Sequence, residues 1–196
     1  MAERTGRRPG RSGTRDAILT AARAKFAEVG FDKASIRSIA AAAGVDSALV
    51  HHYFGTKQDL FVEVVQLPVD PSIVLIPISE APLEQLGETI VRTVVGVWDS
   101  PAGAGVMAAF RGVVAGGDEA LLRTFLLDVA LKGVRERVDL PAGTGPKRVA
   151  LSASQMLGVL AARNIVRIEP LASMPIDELV AVVGPTVQRY LTDDSI

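Results

Sequence analysis

Residues 34–60 read ASIRSIAAAAGVDSALVHHYFGTKQDL, and this stretch decides the fold of the N-terminal part of the chain. Its apolar spacing predicts a short helix over Ile36–Ala43, a tight turn at Gly44 and a second short helix from Asp46 to Tyr53. Two short helices joined by such a turn are typical of a helix-turn-helix, whose second helix lies in the major groove of DNA. The stretch therefore predicts a DNA-binding unit.

The flanking residues complete this unit. An apolar stripe from Thr14 to Val29 predicts a first helix, and Gly30 stands where a left-handed helix stop is expected. Ser35 is a suitable N-cap for the second helix. Thr56 and Asp59 have the spacing of a capping box, which predicts that a fourth helix begins after Thr56.

The second short helix has the chemistry of a groove-reading surface. Val50 and Phe54 lie four residues apart, on the side that faces the core. Ala48 is small enough to approach a base edge or a thymine methyl group closely. The outward residues that we expect to contact DNA are Asp46, Ser47, Ala48, His51 and His52.

Phosphate contacts are expected at helix N-termini and from flanking donors. The residues in these positions are Ser35, Arg37, Tyr53, Thr56 and Lys57. The arginine-rich arm, residues 1–13, reaches a minor groove in one interpretation and is a solvated tail in the other. Arg15 continues the basic series of this arm.

Two other interpretations of this region stay open. Short helices joined by a glycine turn also occur in all-α proteins that bind no DNA, and His51 to Phe54 can form a corner of the core. A metal site is a poor interpretation, because adjacent histidines on a helix point about 100° apart. We expect no metal and no cofactor.

Composition limits the function of the whole chain. It has 196 residues, 48% of them apolar, and no cysteine, which excludes disulfides and thiolate metal sites. The absence of cysteine fits a cytoplasmic location. Arg23 and Lys25 interrupt the first apolar segment, so we expect no signal peptide. We also expect no membrane span, because no uninterrupted apolar run approaches roughly 18 residues.

Charge separates the chain into two parts. Residues 1–60 hold ten Lys or Arg against six Asp or Glu, whereas residues 61–196 hold eleven against sixteen. A basic N-terminal part on an acidic remainder suggests a polyanionic partner for the first part only. We assign residues 1–13 to the arm, 14–60 to the DNA-binding domain and 61–196 to a C-terminal domain.

The C-terminal domain is predicted to be helical. Four prolines between residues 67 and 82 predict a linker or an extended flap, with a short strand as an alternative and Ile73 to Ile78 docked on an apolar surface. The helices expected after it span about 83–99, 102–115, 118–139, 146–168 and 175–192. Asp118 is the expected N-cap of the third, and Gly184-Pro185 is expected to kink the last.

The sequence from Arg15 to about Val65 resembles the TetR family of bacterial transcriptional regulators. The resemblance rests on the AxxxFaexGF ending of the first helix, the IAxxAGV turn and the YF-x-[ST]-K-x-[DE]-L-F boundary. One departure is His51, where many members carry Tyr, and Tyr53 then stands where many carry His. Residues 154–191 are similar to the last two helices of a subgroup common in actinobacteria.

This resemblance implies an all-α homodimer that binds an operator in double-stranded DNA and is released by a small, apolar effector. The last two helices of each subunit would form a four-helix bundle, around a contact that we assign to Met156, Leu157, Leu160, Leu179, Val183, Val187 and Tyr190. The same residues can instead bury the subunit's own core. Helix 4 joins the two domains and is the expected lever between them.

The resemblance also implies a ligand cavity within helices 4 to 7. The bulky candidates for its wall are Trp98, Met107, Phe110, Arg111, Phe125 and Leu126. Each aromatic residue among them can equally belong to the core. Arg111 lies in an apolar helix and needs a partner, which can be a ligand anion, Asp99 or Glu119.

The sequence gives less support to two functions other than a regulator. A small helical enzyme or carrier lacks support, because both histidines lie in the DNA-binding unit and no paired carboxylates are evident. A non-specific DNA-architectural protein would need basic charge throughout the chain, and the C-terminal domain is acidic. We therefore expect a regulator without enzymatic activity, most often a repressor.

Overall fold

A computed structural model describes residues 11–116 and 119–196, and every regular element in these ranges is a helix. This confirms the all-α fold. The expectations for residues 1–10 and for an N-cap at Asp118 lie outside the described residues. The first four helices, which we call the head, are α1 Arg11–Lys33, α2 Ile36–Ala43, α3 Ser47–Phe54 and α4 Lys57–Val65.

The remainder, which we call the body, has longer helices and two irregular turns. After two short helices come α7 Leu86–Asp99, α8 Gly103–Gly116, α9 Glu119–Thr124, α10 Lys132–Arg137, α11 Gly145–Leu160 and α12 Ile176–Thr192. A π-helical segment, Phe125–Ala130, follows α9, and a second, Ala161–Val166, extends α11. The helices expected over 118–139 and 146–168 are thus interrupted where the winding widens.

The proline-rich stretch contains two short helices, so the extended flap expected over residues 67–82 is wrong, and so is the alternative of a short strand. It forms α5 Pro71–Val74 and α6 Ile76–Glu80. Each short helix has a proline in its first two positions, where the missing N–H costs no hydrogen bond. Only part of the stretch is docked, because Ile78 is buried whereas Ile73 is 66% exposed.

Two separate hydrophobic clusters hold the molecule together. The head cluster is built on aromatic side chains, with Phe26 and Phe61 fully buried and Phe31 packed against them. The body cluster is aliphatic and is formed mainly by α7, α11 and α12. Leu121 of α9 is fully buried but belongs to the head cluster, so the body contributes one wall of the head.

Close packing of α7 on α12 fixes the body. A Cβ atom on Gly87 would lie 2.5 Å from the backbone nitrogen of Gln188 and 2.6 Å from the carbonyl oxygen of Gly184. The Gly87 N–H also donates a hydrogen bond to Gln188 Oε1 at 2.7 Å. Helix α12 continues through Pro185.

Helix α11 with its π-helical extension, residues 145–166, is long and apolar enough to cross a membrane by length and composition. The lengths of the uninterrupted apolar runs in the sequence had predicted no helix of this kind. It nevertheless carries Arg148 and Ser152 as buried side chains and packs along α12. A core helix passes the same test, so this is weak evidence for a membrane.

Candidate DNA-binding head and ligand cavity

The turn between α2 and α3 is as tight as the sequence predicts. Gly44 adopts φ +67°, a left-handed conformation that a side chain disfavours. The Val45 N–H donates to the carbonyl oxygen of Ala40 at 3.0 Å. At the other end of α2, Ser35 and Ser38 form a reciprocal capping box. Short-range hydrogen bonds therefore fix both ends of α2.

Helix α3 presents a small, polar outer surface. Val50 and Phe54 are buried on its inner side, whereas Ala48, His51 and His52 are exposed. Ser47 is half-buried beside them. The exposed face has the size and polarity that reading base edges requires.

Asp46 has a structural role at the start of α3. Its Oδ1 accepts a hydrogen bond from the Ala48 N–H at 2.7 Å, as an N-cap does. His51 is anchored at the other end, with Nδ1 2.7 Å from the carbonyl oxygen of Gly55. Because a carbonyl oxygen only accepts, Nδ1 carries the proton and Nε2 is left to contact a partner.

Lys57 does not point outward, contrary to its expected role as a phosphate contact. Its ammonium group donates to the carbonyl oxygens of Phe31 at 2.8 Å and Ala34 at 3.0 Å. It also lies 4.3 Å from the centre of the Phe31 ring. The side chain joins the start of α4 to the α1–α2 connection, so its charge is used inside the head.

Thr56 caps α4 through a reciprocal pair with Asp59. The Thr56 N–H and hydroxyl both donate to Asp59 Oδ2, at 2.9 and 2.7 Å. These two hydrogen bonds hold the pKa of Asp59 below its usual value. The Thr56 hydroxyl is thereby committed to the cap, and the cap is strongest when Asp59 is ionised.

The remaining residues of the predicted DNA surface are placed as follows. Ser35 and Arg37 are exposed on the α2 side. Tyr53 is half-buried, with its ring edge-on to His52 at 5.6 Å. Arg15 lies within α1, inside the predicted first helix, where it pairs with Glu63 of α4 and covers the Phe54 ring. Of the predicted DNA-contact residues, Ser35, Arg37, Ala48, His51 and His52 are thus exposed, and none of them has a cation that is committed elsewhere in the described part of the head.

The body contains a partly open cavity of about 210 Å³ between the end of α4, α7, α8, the Phe125–Ala130 segment and α11. Four of the six predicted wall residues line it: Trp98, Phe110, Phe125 and Leu126. Met107 and Arg111 do not line it, and Arg111 is exposed. Helix α8 turns Val106, Ala109 and Phe110 inward, so positions 107 and 111 fall on the neighbouring stripe.

Asp99, one of the three candidate partners of Arg111, is already occupied by another arginine. Arg163 of the α11 extension donates to Asp99 at 2.7 Å, and it also binds the carbonyl oxygens of Leu171 and Met174. Arg111 therefore supplies no buried positive charge to the cavity. Within the described residues, no charged side chain lines the cavity.

Other wall residues were missed at the level of sequence. They come from the α4–α5 region and from α11: Val65, Leu67, Val69, Val74, Val149, Ala153 and Met156. For the residues of the α4–α5 region, the sequence signal that could have indicated the cavity wall is the series of apolar residues between the prolines of residues 67–82. Ser152 is a lining residue with a hydroxyl group. This hydroxyl donates a hydrogen bond to the carbonyl oxygen of Arg148 at 3.0 Å.

The residues predicted for the dimer contact are used within the protomer. Met156, Leu160, Leu179, Val183 and Val187 are buried in the body cluster. Leu157 lines the cavity, and Tyr190 is half-buried. The outer faces of the same two helices instead expose Ala150, Ser154 and Gly158 on α11 and Ala181, Val182 and Pro185 on α12.

No group of His, Asp or Glu side chains suited to a metal ion occurs in the described part of the chain.

Two family models match the sequence. Residues 18–64 match "Bacterial regulatory proteins, tetR family", and residues 84–191 match "Tetracyclin repressor-like, C-terminal domain". No curated protein gives a significant match.

Several solved structures are similar to the chain. A TetR-family regulator from Streptomyces coelicolor A3 is 35% identical, with 96% of this chain and 100% of that chain covered and a TM-score of 0.45. NalD, the secondary repressor of the MexAB-OprM multidrug efflux pump in Pseudomonas aeruginosa, is 21% identical, with 93% and 98% covered and a TM-score of 0.44. The multidrug binding protein EbrR complexed with proflavin is 18% identical, with 90% and 99% covered and a TM-score of 0.42.

Proposed function

Because this chain belongs to the TetR family of bacterial regulatory proteins, we propose that it is a transcriptional repressor that an uncharged apolar ligand releases from DNA. The observation that carries the proposal is the pairing of two sites in one protomer. The head exposes a helix-turn-helix surface, and the body contains an apolar cavity whose lining shares Val65 of α4 and Phe125 of the π-helical segment with the head cluster.

In this proposal α3 enters the major groove and α2 lies against the backbone. Ser47, Ala48 and His52 face base edges, and His51 Nε2 contacts a base or a phosphate. Arg37 and the N-terminus of α2 bind phosphate. Lys57, Thr56 and Asp46 hold the two helices in position, because their polar groups are already engaged within the head.

We propose that two protomers associate through the outer faces of α11 and α12. These faces combine small residues, which permit close approach, with Val182, whose side chain is 62% exposed. A Cβ atom on Gly158 would meet no atom within 4 Å in the protomer, so that position faces open space. A two-fold dimer presents two copies of α3 and therefore requires a pseudo-palindromic operator.

The cavity favours a ligand without charge. Moving an ion from water into an apolar enclosure is costly unless a partner charge meets it, and the described wall offers none. Its volume of about 210 Å³ exceeds the roughly 150 Å³ of an engineered apolar cavity that binds benzene. The proposed ligand is a compact hydrocarbon-like molecule of one or two rings.

The chain acts in this proposal without catalysis and in the cytoplasm, where the DNA is. The lining of the cavity supports the first point, because a carboxylate, histidine or lysine that could move a proton is absent from its described wall. If an aromatic hydrocarbon such as naphthalene were converted to a product by the protein, as detected by mass spectrometry, the absence of catalysis would be overturned.

The first experiment is selection of bound sequences from a random DNA pool, with the stoichiometry of the complex measured by native mass spectrometry. We expect a palindromic consensus with two protomers, or four, on each site. No enrichment above background would overturn the operator-binding function.

A second experiment separates base contacts from phosphate contacts on the selected operator. Ser47→Ala and His52→Ala are expected to change the preferred bases, by about 1–3 kcal/mol at one position. Arg37→Ala is the control, because loss of a phosphate contact weakens all operators alike. Uniform losses in the first two variants would remove those residues from base reading.

Naphthalene and 1-naphthoate form a matched pair of probes for the cavity. They share two fused rings and differ by one carboxylate, so the comparison isolates charge. We expect naphthalene to bind the protein, measured by its fluorescence, and to weaken operator binding, whereas 1-naphthoate does neither. Equal binding of the anion would overturn the uncharged ligand class.

A further inference from the structure

The π-helical segment Phe125–Ala130 belongs to both functional sites. Phe125, Leu126 and Ala130 line the cavity. Phe125 is also stacked on Phe61 of the head, with ring centroids 6.5 Å apart and planes 14° from parallel. One side chain therefore borders the space for a ligand on one side and the head core on the other.

A carboxylate from the same segment holds the end of α1. Asp128 Oδ2 accepts a hydrogen bond from the Phe31 N–H at 3.0 Å. Gly30 permits this contact, since it adopts φ +80° and a Cβ atom there would lie 2.8 Å from Asp128 Oδ2. The contact stands beside Lys57, whose ammonium group binds the carbonyl oxygen of the same Phe31.

Flanking contacts are weaker or more exposed. Thr124 donates to the carbonyl oxygen of Phe26 at 3.3 Å, and Lys132 pairs with Asp32 at 3.0 Å on the surface. An exposed ion pair of this kind contributes about 0–1 kcal/mol. Asp128 is therefore the polar contact best placed to fix the position of the head on the segment.

The winding of the segment gives it an alternative state. The Leu131 N–H donates to the carbonyl oxygen of Leu126 at 2.8 Å, a five-residue step in place of the α-helical four. Return to α-helical winding would remove one residue from that turn and rotate later side chains by about 100°. Such a change would carry Asp128 away from Phe31.

Helix α4 also reaches the cavity, through Val65, but it is built into the head. Leu60, Phe61 and Val64 are buried in the head cluster, and Arg23 of α1 donates to the carbonyl oxygen of Val64 at 2.9 Å. Helix α4 is therefore packed on α1 as part of the head. The Asp128 contact, by contrast, joins α1 to a segment that also lines the cavity.

We propose that the Phe125–Ala130 segment transmits occupancy of the cavity to the head, with Asp128 as the positioning residue. Ligand bulk against Phe125 and Leu126 changes the winding of the segment, and Asp128 withdraws from the Phe31 N–H. The α1–α2 connection is released and α3 leaves its groove-matched position. This inference rests on the proposed function.

The test compares full-length Asp128→Asn, Asp128→Ala and Lys132→Ala with the unmodified protein. Asparagine retains an acceptor oxygen of the same geometry, alanine retains none, and Lys132→Ala removes the neighbouring surface pair. Naphthalene affinity is followed by fluorescence. Operator affinity is measured with and without saturating naphthalene, and amide exchange at Phe31 is measured by NMR.

We expect naphthalene to weaken operator binding about tenfold in the unmodified protein, Asp128→Asn and Lys132→Ala, within the usual range for coupled sites. In Asp128→Ala naphthalene binds as before, but the change in operator affinity falls below about twofold. Exchange at Phe31 rises with naphthalene in the unmodified protein. A full response in Asp128→Ala, or unchanged Phe31 exchange, overturns the inference.

A cavity-filling variant separates this inference from the proposed function. If naphthalene does not bind, or no operator is found, the proposed function fails while the coupling is still measured in Ala153→Phe. Its new ring enters the cavity from α11, on the wall that does not touch the head. Faster exchange at Phe31 in this folded variant supports the coupling, and unchanged exchange overturns it.

Discussion

The head and the body solve the problem of helix stability in different ways. In the head, α2, α3 and α4 are each only eight or nine residues long, and each has a side-chain N-cap: Ser35, Asp46 and Thr56. In the body, α7, α11 and α12 are longer, and none has a side-chain hydrogen bond at its N-cap. Local hydrogen bonds fix the head, whereas burial fixes the body.

The two cores differ in the same sense. Phe26, Phe31 and Phe61 meet edge-on or stacked within 5.0–5.8 Å. The aliphatic body cluster surrounds an open cavity instead. A filled aromatic core with capped helices holds a reading surface in one geometry, and an incompletely filled core leaves room for a ligand and for a change of packing.

The largest expected effect tests the filled core. Phe61→Ala is expected to lower the free energy of unfolding by about 3–5 kcal/mol, because Phe61 is fully buried among three aromatic rings. Leu157→Ala, which borders the cavity, is expected to cost less than about 2 kcal/mol. Both are measured by urea unfolding, and equal losses would erase the contrast between the cores.

The next prediction tests the use of charge in the head. Lys57→Met is expected to lower the free energy of unfolding by about 2 kcal/mol, because two hydrogen bonds to carbonyl oxygens are lost. The salt dependence of operator binding should stay the same. Arg37→Met is the control, expected to leave stability unchanged and to reduce the salt slope by about 1. A reduced slope in Lys57→Met would return that residue to the phosphate contacts.

A change of opposite sign is expected in the body. Ala153→Leu adds bulk to the open cavity and is expected to raise the free energy of unfolding by about 1 kcal/mol. The same variant should no longer bind naphthalene. Thermal unfolding measured with and without naphthalene reports both the change in stability and the loss of naphthalene binding. A destabilised Ala153→Leu variant would mean that the cavity closes when it is empty.

The smallest expected effect concerns pH and the caps of the head. The folded-state pKa of Asp59 is lowered by its hydrogen bonds to Thr56, so its contribution is complete above the unfolded-state pKa. That contribution is lost as the pH falls through the lower folded-state pKa. An NMR titration of the Asp59 carboxyl should give a midpoint below that of an unstructured peptide. Thr56→Ala should raise this midpoint only part of the way to the peptide value, because the backbone N–H of residue 56 still donates to Asp59, and should cost about 1 kcal/mol.

Sequence reasoning was most accurate where structure is local. The bounds of α2 match the prediction, and α3 begins one residue later and ends one residue later than expected. Capping residues act on groups two or three positions away, so their effect is visible in the sequence. The role of Lys57 was missed because its partners lie 26 and 23 residues earlier.

In the body the sequence identified helices but not their neighbours. An apolar stripe on α11 or α12 predicts burial without saying whether the partner is the same protomer, a second protomer or a cavity. The structure places Met156 and Val183 in the protomer's own core and Phe110 at the cavity. Neither π-helical segment was expected, since their winding follows from packing rather than from composition.

The sequence by itself determined an all-α protein with a capped helix-turn-helix and the family to which it belongs. The tertiary structure alone decided which apolar side chains enclose a cavity, which cations are already bound within the head, and where the body holds α1. The physical reason is range: caps and turns depend on residues three or four positions apart. The Asp128–Phe31 contact, by contrast, joins residues 97 positions apart, and the cavity is lined by residues from Val65 to Leu191, so both depend on how all the helices pack.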